Sequence, residues 1–384
     1  MSFKPLFAKS LGAAPGRLHM AAHSHHLWPD ASFAGQVECW DDAARLADRK
    51  WDRIMGELWP AAQREVADEL GTGDPSAIVF AGNTHDFLVR LWSAAPRRAG
   101  GPLRILTTDG EFHSARRQFA RWVESGDIVL TALPADPVDT LAERLAAGAG
   151  EADLILVSQV LFGSGRAVTG LERLAALSRP EGPWVVIDGY HSFMAAERPL
   201  GSLGETCFFL AGGYKYAMSG EGLGLMHCPP GFGPRPPITG WYAEFEDLSL
   251  SPGQVGYAAD AMRFMGATFD ASAIYRFLHV RAMLAEQGLT TARISARVAE
   301  LKALLLPMLA DTVFGEAELL NPPGTVMDAR FLAFRHSRAA EWQRRLVEAD
   351  CITDVRGDVL RVGLGLYHDE DDLERFAALA KALA

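Results

Sequence analysis

The chain of 384 residues carries a formal net charge of −11, with 49% hydrophobic and 22% charged residues. That composition is globular and excludes a disordered chain, and the length implies more than one domain. The arginines are scattered, so no concentrated basic surface is expected, and with it no nucleic-acid partner.

The first segment, MSFKPLFAKSLGAAPGRLHM, lacks the sustained apolar core of a signal peptide. No apolar run approaches the ~20 residues that span a bilayer, so no membrane partner is expected and the location read from the sequence is cytoplasmic. Residues 34–70 show apolar positions near helical spacing, interrupted at Pro60. A short apolar run at 78–80 ends in Ala81-Gly82-Asn83-Thr84 and leads into the helix-like DFLVRLWSA. Short apolar strands then recur at 104–106, 128–130, 154–157, 185–187 and 207–210, several of them separated by helical stretches such as 114–124 and 138–147. This pattern predicts an α/β fold with a mainly parallel central sheet and helices on both faces. Residues 222–227 are expected as a further strand, with an antiparallel direction open to it. GFGPRPP, rich in Gly and Pro, takes the chain out of the sheet. Residues 271–310 read as helix. The remainder reads as a smaller α+β unit with strands at 329–334 and 359–362 and a last helix opened by the acids Asp369 to Asp372. The predicted division is a large α/β domain over 40–265 and a small α+β domain built from 1–39 and 266–384.

The chemistry concentrates between residues 185 and 216. One buried strand ends in Asp188, followed by Gly189-Tyr190-His191; the next leads into Gly212-Gly213-Tyr214-Lys215-Tyr216. Ligands of open α/β sheets gather at the carboxyl ends of strands, and both Asp188 and Lys215 fall at such ends. Pyridoxal 5′-phosphate (PLP) needs this pair, a lysine to hold its aldehyde as a Schiff base and a carboxylate to keep its ring nitrogen protonated. Gly82-Asn83-Thr84, at a strand–turn–helix junction, is either an ordinary helix cap or a cap that also cradles the phosphate.

These stretches resemble the fold-type I PLP enzymes of the class V aminotransferase group, and within it kynureninase, from about residue 18 to about residue 368. VIDGYHSF is similar to the Asp-x-x-His strand-end motif and GGYKYAMSGEG to the lysine motif. The resemblance implies that Lys215 and Asp188 are catalytic, and that Asn83, Thr84, Phe112, Gln159, Asp188, His191, Tyr214, Lys215, Trp241 and Thr268 contact the cofactor. Phe112, of TDGEFHSARRQ, stacks on its ring; Gln159, of VSQVLFGSG, meets its ring oxygen; Tyr214 and Trp241 meet its phosphate. Thr268 reaches the phosphate of a neighbouring subunit, which implies a homodimer. Arg361, in LRVGLGLYH, binds the carboxylate of an amino-acid substrate, a task that suits the planar guanidinium fork. The histidine cluster at 23–26 lacks partners at metal-binding spacing, so no metal is expected; His23 and His25 face either the substrate or only the protein interior.

The activity implied is a kynureninase-like hydrolysis of the Cβ–Cγ bond of L-kynurenine or a related β-acyl-alanine. FMGATFDAS and GWYAEF depart from the kynureninase pattern, however. The alternative is a class V aminotransferase, or a C–S lyase or cysteine desulfurase-like enzyme, acting on another amino acid. The four cysteines, Cys39, Cys207, Cys228 and Cys351, have no Cys-x-x-Cys spacing and read as reduced thiols. Of these only Cys351 is a candidate for persulfide chemistry.

Overall fold

The structure is a computed structural model describing residues 2–244, 249–324, 327 and 329–384. Phe245, the last residue of the GWYAEF stretch, lies outside the described residues. In chain order the strands are β1 (Leu18–His19), β2 (Ile78–Ala81), β3 (Leu103–Thr108), β4 (Ile128–Leu133), β5 (Leu154–Ser158), β6 (Trp184–Asp188), β7 (Cys207–Gly212), β8 (Gly224–His227), β9 (Glu318–Leu319), β10 (Phe331–Arg335), β11 (Cys351–Ile352), β12 (Asp354–Arg356) and β13 (Val359–Gly363).

Seven of them form the central sheet in the order β2-β8-β7-β6-β5-β3-β4. Only β8 runs antiparallel to its neighbours; β7, β6, β5, β3 and β4 pair parallel. The sequence explains the order of burial. LILVS and CFFLAG are buried along their whole length, as central strands covered on both faces must be. IVLTAL of β4 is largely exposed, as befits an edge. Parallel register sets Ser158 beside Asp188 and Asp188 beside Leu210, so the carboxyl ends of β5, β6 and β7 open at one place.

The smaller sheet, β12-β13-β10-β9, is antiparallel. It has its own core, in which Leu301, Leu305, Trp342, Leu360 and Phe376 pack together. The helix Ser272–Glu286 packs on Asp30–Leu46 and Trp59–Leu70, and Ile274, Phe277 and Val280 belong to the large core. The N-terminal segment threads between the two cores. β1 pairs with β11, Ala21 bridges Gly363, Leu18 and Met20 join the small core, and Ala22 joins the large one. A Cβ at Gly363 would lie 2.1 Å from His23 Nδ1, so glycine is what lets this segment lie against β13.

The helical stretch expected over 34–70 is broken into Asp30–Leu46, Lys50–Arg53, a π-helical turn over Ile54–Leu58, and Trp59–Leu70. Pro60 does not interrupt it. It sits in the first turn of the last segment, where its missing N–H costs nothing. Among the described residues no helix is long and apolar enough to cross a membrane, and no group of three or more His, Cys, Asp or Glu side chains is placed to hold a metal.

Candidate active site

The strand ends of the central sheet surround a cavity of about 250 Å³ lined by Asn83, Thr84, His85, Phe112, Ser114, Asp188, Tyr190 and Tyr214, among others. A narrower recess continues from it past Phe112, Ser158, Phe162 and His191 to Lys215.

At one end lies the start of the helix Thr84–Ala94, whose first N–H groups have no intrahelical acceptor. Asn83 caps it, accepting a hydrogen bond from the Asp86 amide at 3.1 Å. Close passage of β8 behind this turn requires a glycine: a Cβ on Gly224 would fall 2.4 Å from the carbonyl carbon of Asn83.

Asp188 faces the cavity from the end of β6. The Tyr190 amide donates to its Oδ1 at 3.0 Å. Burial holds its pKa above the usual carboxylate range, while that amide and the charge of Lys215 pull it back. A desolvated carboxylate of this kind favours a cationic N–H partner. Lys215, beyond the end of β7, is buried and donates to the His23 carbonyl at 3.1 Å, with His191 Nε2 at the same distance. Burial, and then the charge of Arg361, lower its pKa to about 7. Much of its population is therefore the neutral, nucleophilic amine at physiological pH. His191 is held well below its ordinary pKa by burial and by Lys215, so its ring is neutral.

Tyr214 presents its ring to His25, stacked at 5.0 Å, and lies 5.3 Å from the ring of Tyr190. His25 itself is exposed. His23 is fully buried, stacked on Phe331 at 4.6 Å, and neither ring nitrogen has a hydrogen-bond partner among the described residues. Arg361, 3% exposed, projects from β13, donates to the Phe162 carbonyl and pairs with Asp354 of β12.

The expected residues are thus not all brought together. Asn83, Thr84, Phe112, Asp188, His191, Tyr214 and Lys215 line the connected cavities, and His23 touches Lys215 through its carbonyl. Gln159 is buried, but its amide is spent elsewhere: Nε2 donates to the Pro199 carbonyl at 2.7 Å and Oε1 accepts from Ser192 at 2.6 Å. Trp241 and Thr268 are exposed and do not line these cavities. They stand near each other, because Gly240 packs on the backbone of Gly266 and the Tyr242 amide donates to the Gly266 carbonyl.

Glu111 escaped sequence reasoning, although it adjoins Phe112. Its carboxylate accepts from Thr108 Oγ1 at 2.6 Å and from the Ser158 amide and hydroxyl at 3.2 and 2.5 Å. Complete burial raises its pKa to about 7. A folded-state pKa above the unfolded value stabilises the fold at low pH, and that contribution is lost as pH rises through about 7. Glu111→Gln should therefore gain stability relative to the parent between pH 5 and 8, by up to ~3 kcal/mol. Denaturation curves that run parallel over this range would refute it.

The site fits PLP by its donor set: a desolvated carboxylate for a ring N–H, an unsatisfied helix start for a phosphate, and a near-neutral lysine for an aldehyde. Fold and site together define the class V PLP-dependent aminotransferase-like fold. No family model matches the chain. It is 27% identical over 367 residues to an isopenicillin N epimerase of Streptomyces clavuligerus, covering 88% of this chain and 89% of that one. It is 27% identical over 345 residues to a probable cysteine desulfurase of Pseudomonas aeruginosa, covering 82% and 80%. Among solved structures it superposes on the cysteine desulfurase of Thermococcus onnurineus with a TM-score of 0.79 at 17% identity, covering 98% and 97% of the two chains. It superposes on a cystine C–S lyase in complex with cysteine persulfide with a TM-score of 0.78 at 18% identity, covering 97% and 99%. A mutant of that lyase carries glycine covalently linked to its PLP cofactor.

Proposed function

We propose that this chain is a PLP-dependent enzyme that removes the Cα proton of an α-amino acid and expels a sulfur leaving group from Cβ, a C–S lyase. The observation that carries this reading is the pairing of Lys215, a buried amine with a pKa near 7, with the desolvated carboxylate of Asp188 across one cavity. Bound PLP supplies an electron sink for charge at Cα. Asp188 would hold the ring nitrogen, the helix start at Asn83 and Thr84 the phosphate, and Lys215 the aldehyde. Lys215, a buried amine with a pKa near 7, would also serve as the base that takes the Cα proton. Neutral His191, 3.1 Å away, keeps its amine oriented. Arg361 receives the α-carboxylate.

A persulfide-forming desulfurase is disfavoured by the cysteines. Cys207, Cys228 and Cys351 are buried, burial pushes the thiols of all three up to about 12, and Cys351 lies in β11 against β1. Cys39, half-buried, also has a raised pKa and lies on the helix Asp30–Leu46, outside the cavities. Epimerisation at Cα is the second reading, favoured by the similarity to isopenicillin N epimerases over most of the chain. It shares the deprotonation and differs only in where the proton returns. Kynurenine hydrolysis rests on the motif resemblance alone. The exposed, adjacent Trp241 and Thr268 support a homodimer in which they serve a neighbouring site.

A substrate panel in D₂O tests the reading. Cysteine S-conjugates and cystine should give pyruvate, ammonia and a thiol or persulfide. Inversion with deuterium at Cα and no pyruvate would select the epimerase reading instead, and anthranilate from kynurenine the hydrolase.

A further inference from the structure

We propose that the substrate of this site carries a second anionic group beyond its α-carboxylate, a carboxylate or comparable oxyanion on its side chain, and that Arg356 receives it. The inference rests on the reading of the cavity as a site for an α-amino acid.

β12 and β13 are antiparallel, with Asp354 opposite Arg361 and Arg356 opposite Val359. Asp354 and Arg356, two residues apart on one strand, therefore share a face with Arg361. Both guanidiniums close on the one carboxylate: Arg356 Nη1 meets Asp354 Oδ1 at 2.7 Å, and Arg361 Nη2 meets Oδ2. The Nε atoms of both arginines are buried without a hydrogen-bond partner among the described residues. Arg361 Nη1 also donates to the Phe162 carbonyl and Arg356 Nη1 to the Val355 carbonyl at 2.9 Å, and Asp354 Oδ2 lies 3.6 Å from His23 Nε2, so the two buried Nε–H groups are the donors that lack acceptors.

Arg361 stands behind the recess that leads to Lys215, against Phe162, which lines it. The Phe162 ring lies 5.8 Å from the Arg361 guanidinium, 5.3 Å from Phe112 and 5.2 Å from His113. His113 is held below its ordinary pKa by burial, then by the positive charges of Arg356, Arg116 and Arg361, so three guanidiniums gather here on an otherwise acidic protein. Exposure separates the two roles. Arg361 is 3% exposed and suits the invariant end of an amino acid, whereas the Arg356 side chain is 38% exposed and stands where a substrate side chain reaches solvent.

The test is calorimetric titration of the purified protein, incubated with PLP, with succinate, glutarate and adipate against butyrate. The parent protein should bind at least one dicarboxylate about tenfold more tightly than butyrate, the value of one added charge-assisted hydrogen bond. Arg356→Gln should bring the two classes to within about threefold while still binding butyrate, which also shows that the variant is folded. Arg361→Gln should weaken both classes. A parent protein without the preference, or an Arg356→Gln variant that keeps it, overturns the proposal. The colour of the purified protein decides the cofactor reading separately: a colourless protein that still prefers dicarboxylates keeps this proposal and sinks that one.

Discussion

Lys215→Ala should yield a protein that no longer holds PLP covalently and turns over its substrate more slowly by at least about 10⁴-fold, since one residue supplies both the covalent anchor and the base at Cα. Borohydride reduction followed by mass spectrometry reads the anchor: the parent should carry the cofactor on Lys215 and the variant should carry none. The pKa near 7 adds a second signature. Only the neutral amine attacks an aldehyde, so capture of PLP by cofactor-free parent protein should be slow below pH 7 and level off above it. A Lys215→Ala variant with full turnover, or a capture rate that is flat with pH, would contradict the assignment.

The second large effect belongs to Asp188. Asp188→Ala should leave the cofactor attached to Lys215 but lower turnover by about 10²–10³-fold, the cost of removing one preorganised electrostatic contact to charge that grows in the transition state. Asp188→Asn keeps the shape and the Tyr190 amide contact, 3.0 Å in the parent, while removing the charge. It should resemble Asp188→Ala in rate. If Asp188→Asn retained parental turnover, the carboxylate would be only a cap on the Gly189-Tyr190 turn.

The strand ends were the legible part of this chain. Asp188 and Lys215 stand at abrupt changes from an apolar run to glycine and polar residues, a local pattern that marks a site without knowledge of what lies beside it. The parallel sheet followed from the same short apolar runs; β8 was legible as one more short strand, and its antiparallel pairing with β7 and β2 is set by the fold. What was not legible depends on distant partners. Gln159 sits one residue past Ser158, and only the packing of Ser192 and Pro199 turns its amide away from the cavity. The role of Asp354 follows from β12 lying antiparallel to β13, which places it opposite Arg361. Glu111 looks like a surface acid in TDGEFHS until Ser158 arrives from β5 to bury it. The helical stretch expected over 34–70 breaks at Ala47, where φ of 50° and ψ of −127° end the helix Asp30–Leu46 with no Gly or Pro nearby to signal it, whereas the π-turn over Ile54–Leu58 is helical on both sides.

The threading of residues 18–23 between the two cores has a consequence for how the molecule is made. β11 and β13, against which these residues lie, are translated more than 300 residues after them. At about 5–20 residues per second the delay is on the order of half a minute. Throughout it Leu18 and Met20 have no core to enter, and Lys215 emerges with its ceiling, the His23 carbonyl, still untethered. The nascent chain can assemble its central sheet, but it carries an open lysine and a sticky leading segment until the closing strands arrive. Capture of a cofactor in the final geometry therefore follows the synthesis of β13.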